Sequence, residues 1–226
     1  MKKGSVKALV ESLGQKYSET LGINLSSGND REVFKWFLAS LLFGAPITES
    51  SVIKTYECFE KYDALTPRKI LDRGWDGLVK ILDEGSYTRY DFKTADKLLE
   101  VMRNLTETYR GSLNLIHVQA SDARDLERRL KALGKGIGDV TVSIFLRELR
   151  GVWRKADPSP TPLVVEAAKR LGIVKKEATA EDALRQLKVF WARNELSGKS
   201  FVNFETALLR LGKDYLRKGK VPSFSS

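Results

Sequence analysis

Apolar residues recur at helical spacing along nearly the whole chain, and the alternating Val/Ile/Thr runs that mark strands are missing. The pattern predicts an all-α protein. Residues 33–42, carrying Val33, Phe34, Trp36, Phe37, Leu38 and Leu41, are apolar almost all round. They predict a buried central helix stopped by Gly44 and Pro46. A second helix is expected at about 50–62, opened by Thr48 or Ser51 as N-cap. Thr66-Pro67 pairs a capping residue with proline at the first helical position, starting a short helix that ends near Gly74; another follows at 76–82. Residues 91–109 form a long amphipathic helix with Ala95, Leu98, Leu99, Met102 and Leu105 on its inner face. Helices at 121–133 and 139–149 flank a glycine hairpin, and three more are expected at about 162–171, 180–193 and 202–217.

A polar, proline-rich connector, Lys155-Ala-Asp-Pro-Ser-Pro-Thr-Pro162, interrupts the helical pattern and marks a lobe boundary. The expectation is two helical lobes sharing a cleft: a central lobe of residues 31–155 holding the hairpin, and a second built from 1–30 and 156–226. Residues 222–226 read as a loose tail, and no internal repeat is visible.

Charge adds a partner class. Lys and Arg number 39 against 29 Asp and Glu, for a formal charge of +10, and the excess is spread through helical segments. A polyanion is the expected partner, nucleic acid first, because every neutralised phosphate releases condensed counterions. The single cysteine, Cys58, excludes an internal disulfide, a four-cysteine zinc site and a four-cysteine iron–sulfur cluster. With one histidine, His117, the chain has no cluster for a metal and no base for a serine triad. No stretch approaches 18 apolar residues, and the Met-Lys-Lys start is not followed by an apolar signal core. A monomeric cytoplasmic protein without membrane contact is expected.

The hairpin concentrates the candidate chemistry. Leu130-Lys-Ala-Leu-Gly-Lys-Gly-Ile-Gly138-Asp-Val-Thr141 places three glycines within five residues, immediately before a new helix. Glycine permits positive φ and lets backbone N–H groups at a helix start approach a phosphate closely. Ile137 would plug the turn into the core. Lys135, with Arg128, Arg129 and Lys131 nearby, would attract the phosphate, and Gly136, Gly138 and Thr141 would line the clamp. A glycine C-cap with a loop joining two antiparallel helices accounts for the same residues without any ligand.

Taken with its surroundings, this segment resembles the helix-hairpin-helix (HhH-GPD) DNA glycosylase superfamily, in its endonuclease III-like branch. The resemblance spans roughly residues 30 to 215. It draws on residues 37–54 around Gly44-Ala45-Pro46-Ile47, on Thr66-Pro67 to Gly74, on residues 85–105, on Ala168-Lys-Arg-Leu-Gly172 and on Leu208-Leu-Arg-Leu-Gly212. It implies the two-lobe glycosylase fold, double-stranded DNA as partner, and base-excision repair by flipping and hydrolysing out a damaged or mispaired base. Ala45 and Pro46 would then belong to a loop that wedges into the duplex.

Three departures qualify that picture. Bifunctional relatives carry a nucleophilic lysine just before the hairpin threonine, where this chain has Val140, so no lysine-dependent lyase step is expected. The catalytic aspartate's place falls on Thr161 by ungapped alignment of the following helix, with Asp157 four residues earlier as the alternative carboxylate. Thr161 also reads as an N-cap before Pro162, and Asp157 as a turn-forming Asp-Pro pair. The family's cysteine loop after Gly212 is missing, so no iron–sulfur cluster is expected. Trp153, which precedes the connector, is a candidate stacking platform near the cleft.

Overall fold

A computed structural model describes residues 3–220, and the tail expected at 222–226 lies outside them. The described residues are helical, with no strand. In chain order the helices are α1 (Lys3–Leu13), α2 (Tyr17–Thr20), α3 (Asp30–Phe43), α4 (Glu49–Lys61), α5 (Pro67–Glu84), α6 (Asp91–Tyr109), α7 (Leu113–Gln119), α8 (Ala123–Lys131), α9 (Asp139–Glu148), α10 (Pro162–Arg170), α11 (Ala180–Ala192) and α12 (Phe201–Arg210). They divide into two compact units, a central one of Leu21–Asp157 and a terminal one built from both ends of the chain.

The central unit is organised around α3. Trp36, Phe37, Leu38, Ala39, Leu41 and Leu42 are all buried, as an all-round apolar helix must be. The Trp36 indole N–H donates to the Phe145 carbonyl of α9 (3.0 Å), and the Phe37 and Phe145 rings meet edge-on with centroids 5.1 Å apart. Residues 21–30 belong to this unit, so its boundary lies ten residues earlier than the expected 31. Leu21, Ile23 and Leu25 are buried, Asn114 Nδ2 donates to the Gly28 carbonyl (2.9 Å), and Ser112 Oγ donates to the Asp30 carboxylate (2.9 Å). Where two short helices were expected at 66–74 and 76–82, α5 runs through both with a kink. Gly74 there adopts φ 65°, ψ −178°, a conformation only glycine tolerates well.

In the terminal unit α1 packs with α10, α11 and α12 around Leu9, Val164, Ala168, Trp191, Phe204 and Leu208. The α1 helix carries its stripe at Val6, Leu9, Val10 and Leu13, a full i, i+3, i+4, i+7 pattern. Asn203 Nδ2 donates to the Gly14 carbonyl (2.9 Å), and the Arg210 guanidinium lies over the Tyr17 ring (4.3 Å), fastening the two distant chain segments together. The helical path after α12 widens into a π turn at Leu211–Tyr215, where a Cβ on Gly212 would stand 2.6 Å from the Leu163 carbonyl oxygen. Among the described residues no helix is long and apolar enough to cross a membrane.

Candidate nucleic-acid interface

The hairpin of residues 132–138 is carried from below by α6. Asn104 Nδ2 donates to the Leu133 carbonyl (2.9 Å), and Glu100 Oε2 accepts from the Lys135 N–H (3.2 Å). Gly134 passes so close to α6 that a Cβ would stand 2.7 Å from Val101 Cγ2. Gly136 turns the chain at φ +84°, after which Ile137 inserts into the core with 6% exposure and its N–H donates to the Gly134 carbonyl (3.3 Å).

Gly138 is the N-cap of α9. It is extended (φ −98°, ψ −176°), offers no side-chain cap, and has nothing within 4 Å of where a Cβ would sit. Val142 is the first α9 residue whose N–H reaches a helical acceptor, the Gly138 carbonyl (3.1 Å). The N–H groups of Asp139, Val140 and Thr141 therefore lie in the first turn, which has no intrahelical acceptor to offer. Val140, in this turn, is 64% exposed.

Thr141 holds a different position from the one expected of a DNA contact. Its side chain is buried against Gly44, where a Cβ would collide with Oγ1, so it serves the crossing of α3 and α9 and only its backbone faces the helix start. That crossing also sets the loop of residues 44–48 beside α9. In the loop Pro46 is exposed, Ala45 is half-buried, and the Ile47 N–H donates to the Ala45 carbonyl (2.8 Å).

The basic residues near the hairpin divide by partner. Arg128 and Arg129 both bind the Asp125 carboxylate, and Lys131 pairs with Asp139. The hydrogen bond from Arg129, then those from the Ser121 N–H and Arg128, hold Asp125 well below the usual carboxylate range. Lys135 is exposed, its N–H held by the Glu100 carboxylate.

The two candidates for the chemistry fall in different units. Asp157 closes the central unit, its carboxylate ion-paired with Arg150; the Asp157 side chain is 42% exposed and that of Arg150 only 7%. Thr161 belongs to the terminal unit at the N-cap of α10, followed by Pro162, yet it makes no side-chain cap and its buried Oγ1 has no hydrogen-bond partner. Trp153 is a core residue rather than an open platform. It is 3% exposed, its ring stacks on His117 (centroids 4.8 Å), and Nε1 donates to Asn114 Oδ1 (2.7 Å). Burial foremost, then Lys155 and Arg154, push the His117 pKa down.

Sequence reading passed over the supporting face of α6. Lys97, Glu100 and Asn104 stand at i, i+3 and i+7, a polar row beside the apolar stripe, and that spacing was the available signal. Among the described residues no group of three or more His, Cys, Asp or Glu is arranged to hold a metal ion. No protein-family model matches the chain, and no curated protein matches it.

Proposed function

We propose that the chain binds double-stranded DNA as a monomer, gripping a backbone phosphate with the hairpin at the start of α9, and that its two units form a helix-hairpin-helix glycosylase fold serving base-excision repair. One observation carries this reading. Of the three hairpin glycines, packing against Val101 requires Gly134 and a left-handed turn requires Gly136, whereas nothing within the fold occupies the space beside Gly138. A glycine at an uncapped, solvent-facing helix start lets an outside anion reach the first-turn N–H groups. Lys135, exposed beside them, adds a positive charge.

Gly138→Asp tests the clamp with effects of opposite sign. The extended backbone there accepts aspartate, which would cap α9 and raise stability by a few tenths of a kcal/mol at most. The same carboxylate would repel a phosphate, and duplex affinity at fixed salt should fall about tenfold or more. Unchanged affinity in a folded variant refutes the clamp.

The activity proposed on this platform is monofunctional base excision. The target base leaves the stack, Asp157 stabilises positive charge developing on the sugar, and water attacks the sugar carbon as the base departs. Val140 offers no amine, so the strand is not cut by a lysine-dependent step. A second reading, DNA recognition without excision, is favoured by the Arg150–Asp157 ion pair, because a carboxylate already neutralised by a buried guanidinium stabilises a cationic sugar poorly. Release of free base from a panel of lesion and mismatch duplexes separates the two. Release that Asp157→Asn abolishes establishes excision; binding with no release from any duplex establishes recognition alone.

A further inference from the structure

Lys97 occupies a place where an apolar residue would cost less. It lies on α6 one turn before Glu100, half-buried, and its Nζ donates to the Leu41 carbonyl at the end of α3 (3.1 Å). No carboxylate pairs with it among the described residues, and burial pushes its ammonium below the ordinary lysine range. A half-buried ammonium that donates to the last turn of another helix does more than fill space: it fixes the position of that helix end relative to α6.

Its two ends touch the two candidate DNA-contacting segments. The stem runs beneath the hairpin, with Cδ 3.4 Å from where a Gly136 Cβ would sit. The head caps the last turn of α3, just before the chain leaves for the 44–48 loop. Tyr87 Oη donates to the neighbouring Leu42 carbonyl (2.7 Å), so two side chains close that terminus, but only Lys97 also reaches the hairpin.

We infer that Lys97 is a positioning residue that ties the hairpin to the end of α3, so that the 132–138 turn and the 44–48 loop meet a duplex as one preorganised surface. This rests on the DNA-binding reading above. Neither segment has a regular hydrogen-bond ladder of its own, and Lys97 is the side chain that lies beside both. The Gly44–Thr141 crossing sets the loop beside α9; the Lys97 head joins the end of α3 to α6, and its stem passes beside the turn.

The test is Lys97→Met, which keeps the stem and removes the donor and its charge, with amide hydrogen exchange read residue by residue. Exchange should rise about tenfold at both 44–48 and 135–138, while global stability stays level or increases because a half-buried charge has been removed. Duplex affinity should fall about tenfold. Lys97→Leu, which also has no donor, carries the same expectation should methionine be refused by the fold. Tyr87→Phe, which removes the Leu42 cap and the hydroxyl's bond to Thr94 but leaves Lys97 in place, should loosen 44–48 and leave 135–138 protected. Unchanged exchange at either segment in the Lys97 variants, equal loosening of the turn by Tyr87→Phe, or a lysine whose loss unfolds the whole unit in both variants overturns the inference. If the wild-type protein binds no duplex DNA, the functional reading fails, and the exchange pattern still decides whether the tie exists.

Discussion

Single residues in this protein are constrained by what stands next to them, and the glycines show how differently. Gly44 has an ordinary helical φ, so backbone freedom is no reason for it; the reason is Thr141, whose Oγ1 occupies the space a Cβ would need. Gly44→Ala should force α3 and α9 apart and lower stability in denaturant unfolding by about 1–3 kcal/mol, the usual cost of overpacking. Thr141→Ala removes the colliding oxygen and leaves Thr141 Cβ 3.3 Å from the new methyl, so the double variant should recover part of that loss, giving a coupling a double-mutant cycle reads directly. Independent, additive losses would show that the two helices do not meet as described. The sequence displays that Gly44 ends an apolar helix but not that a threonine 97 positions later dictates it, since a close approach leaves no local trace. Thr141 is legible only as a hairpin threonine for the same reason, and its burial against Gly44 is visible only in three dimensions.

Elements are more readable than residues, because capping and periodicity are local. Thr48, Thr66 and Thr179 each accept a hydrogen bond from the third residue of their helices, and Thr66 is followed by the first-turn proline its sequence advertises. The short α7 is harder to see, since Leu113-Asn-Leu-Ile-His-Val-Gln mixes apolar and polar residues in too few turns to establish a period; Ser112, which accepts from the Leu115 N–H (3.0 Å), is its best mark. Helix α8 has the most charge-dependent start. Asp122 caps the Asp125 N–H (2.8 Å), while Asp125 takes the Ser121 N–H (3.0 Å) and both Arg128 and Arg129. Since the folded Asp125 pKa lies below its unfolded value, its contribution is complete above about pH 4 and is lost as the pH falls from there towards the folded pKa. An acid titration followed by circular dichroism should show wild-type stability declining over that interval. Asp125→Asn should be less stable than wild type at pH 7 and should lack that part of the decline; parallel curves for the two proteins would assign the acid sensitivity elsewhere.

At the scale of the whole molecule, the connector is visible in the sequence as a run of prolines, and the division it marks falls at Asp157 and Pro158. The other division, after Thr20, has no such punctuation, because residues 21–30 join the central unit through buried Leu21, Ile23 and Leu25 and through hydrogen bonds to Ser112 and Asn114, partners some 80 positions away. The central unit is thus one uninterrupted stretch, while the terminal unit needs α1 to complete a core otherwise made by α10, α11 and α12. Leu9 is 1% exposed in that core, and Leu9→Ala leaves a cavity worth about 2–5 kcal/mol. The loss belongs to the terminal unit alone if each unit folds on its own contacts. Amide exchange in Leu9→Ala should then accelerate around Trp191 and Phe204, whose rings stack at 5.5 Å, and stay at its wild-type rate around Trp36 and Phe145 in the central core. Equal acceleration in both cores would mean that the two units unfold as a single cooperative body, and a damaged α1 would then loosen the hairpin as well.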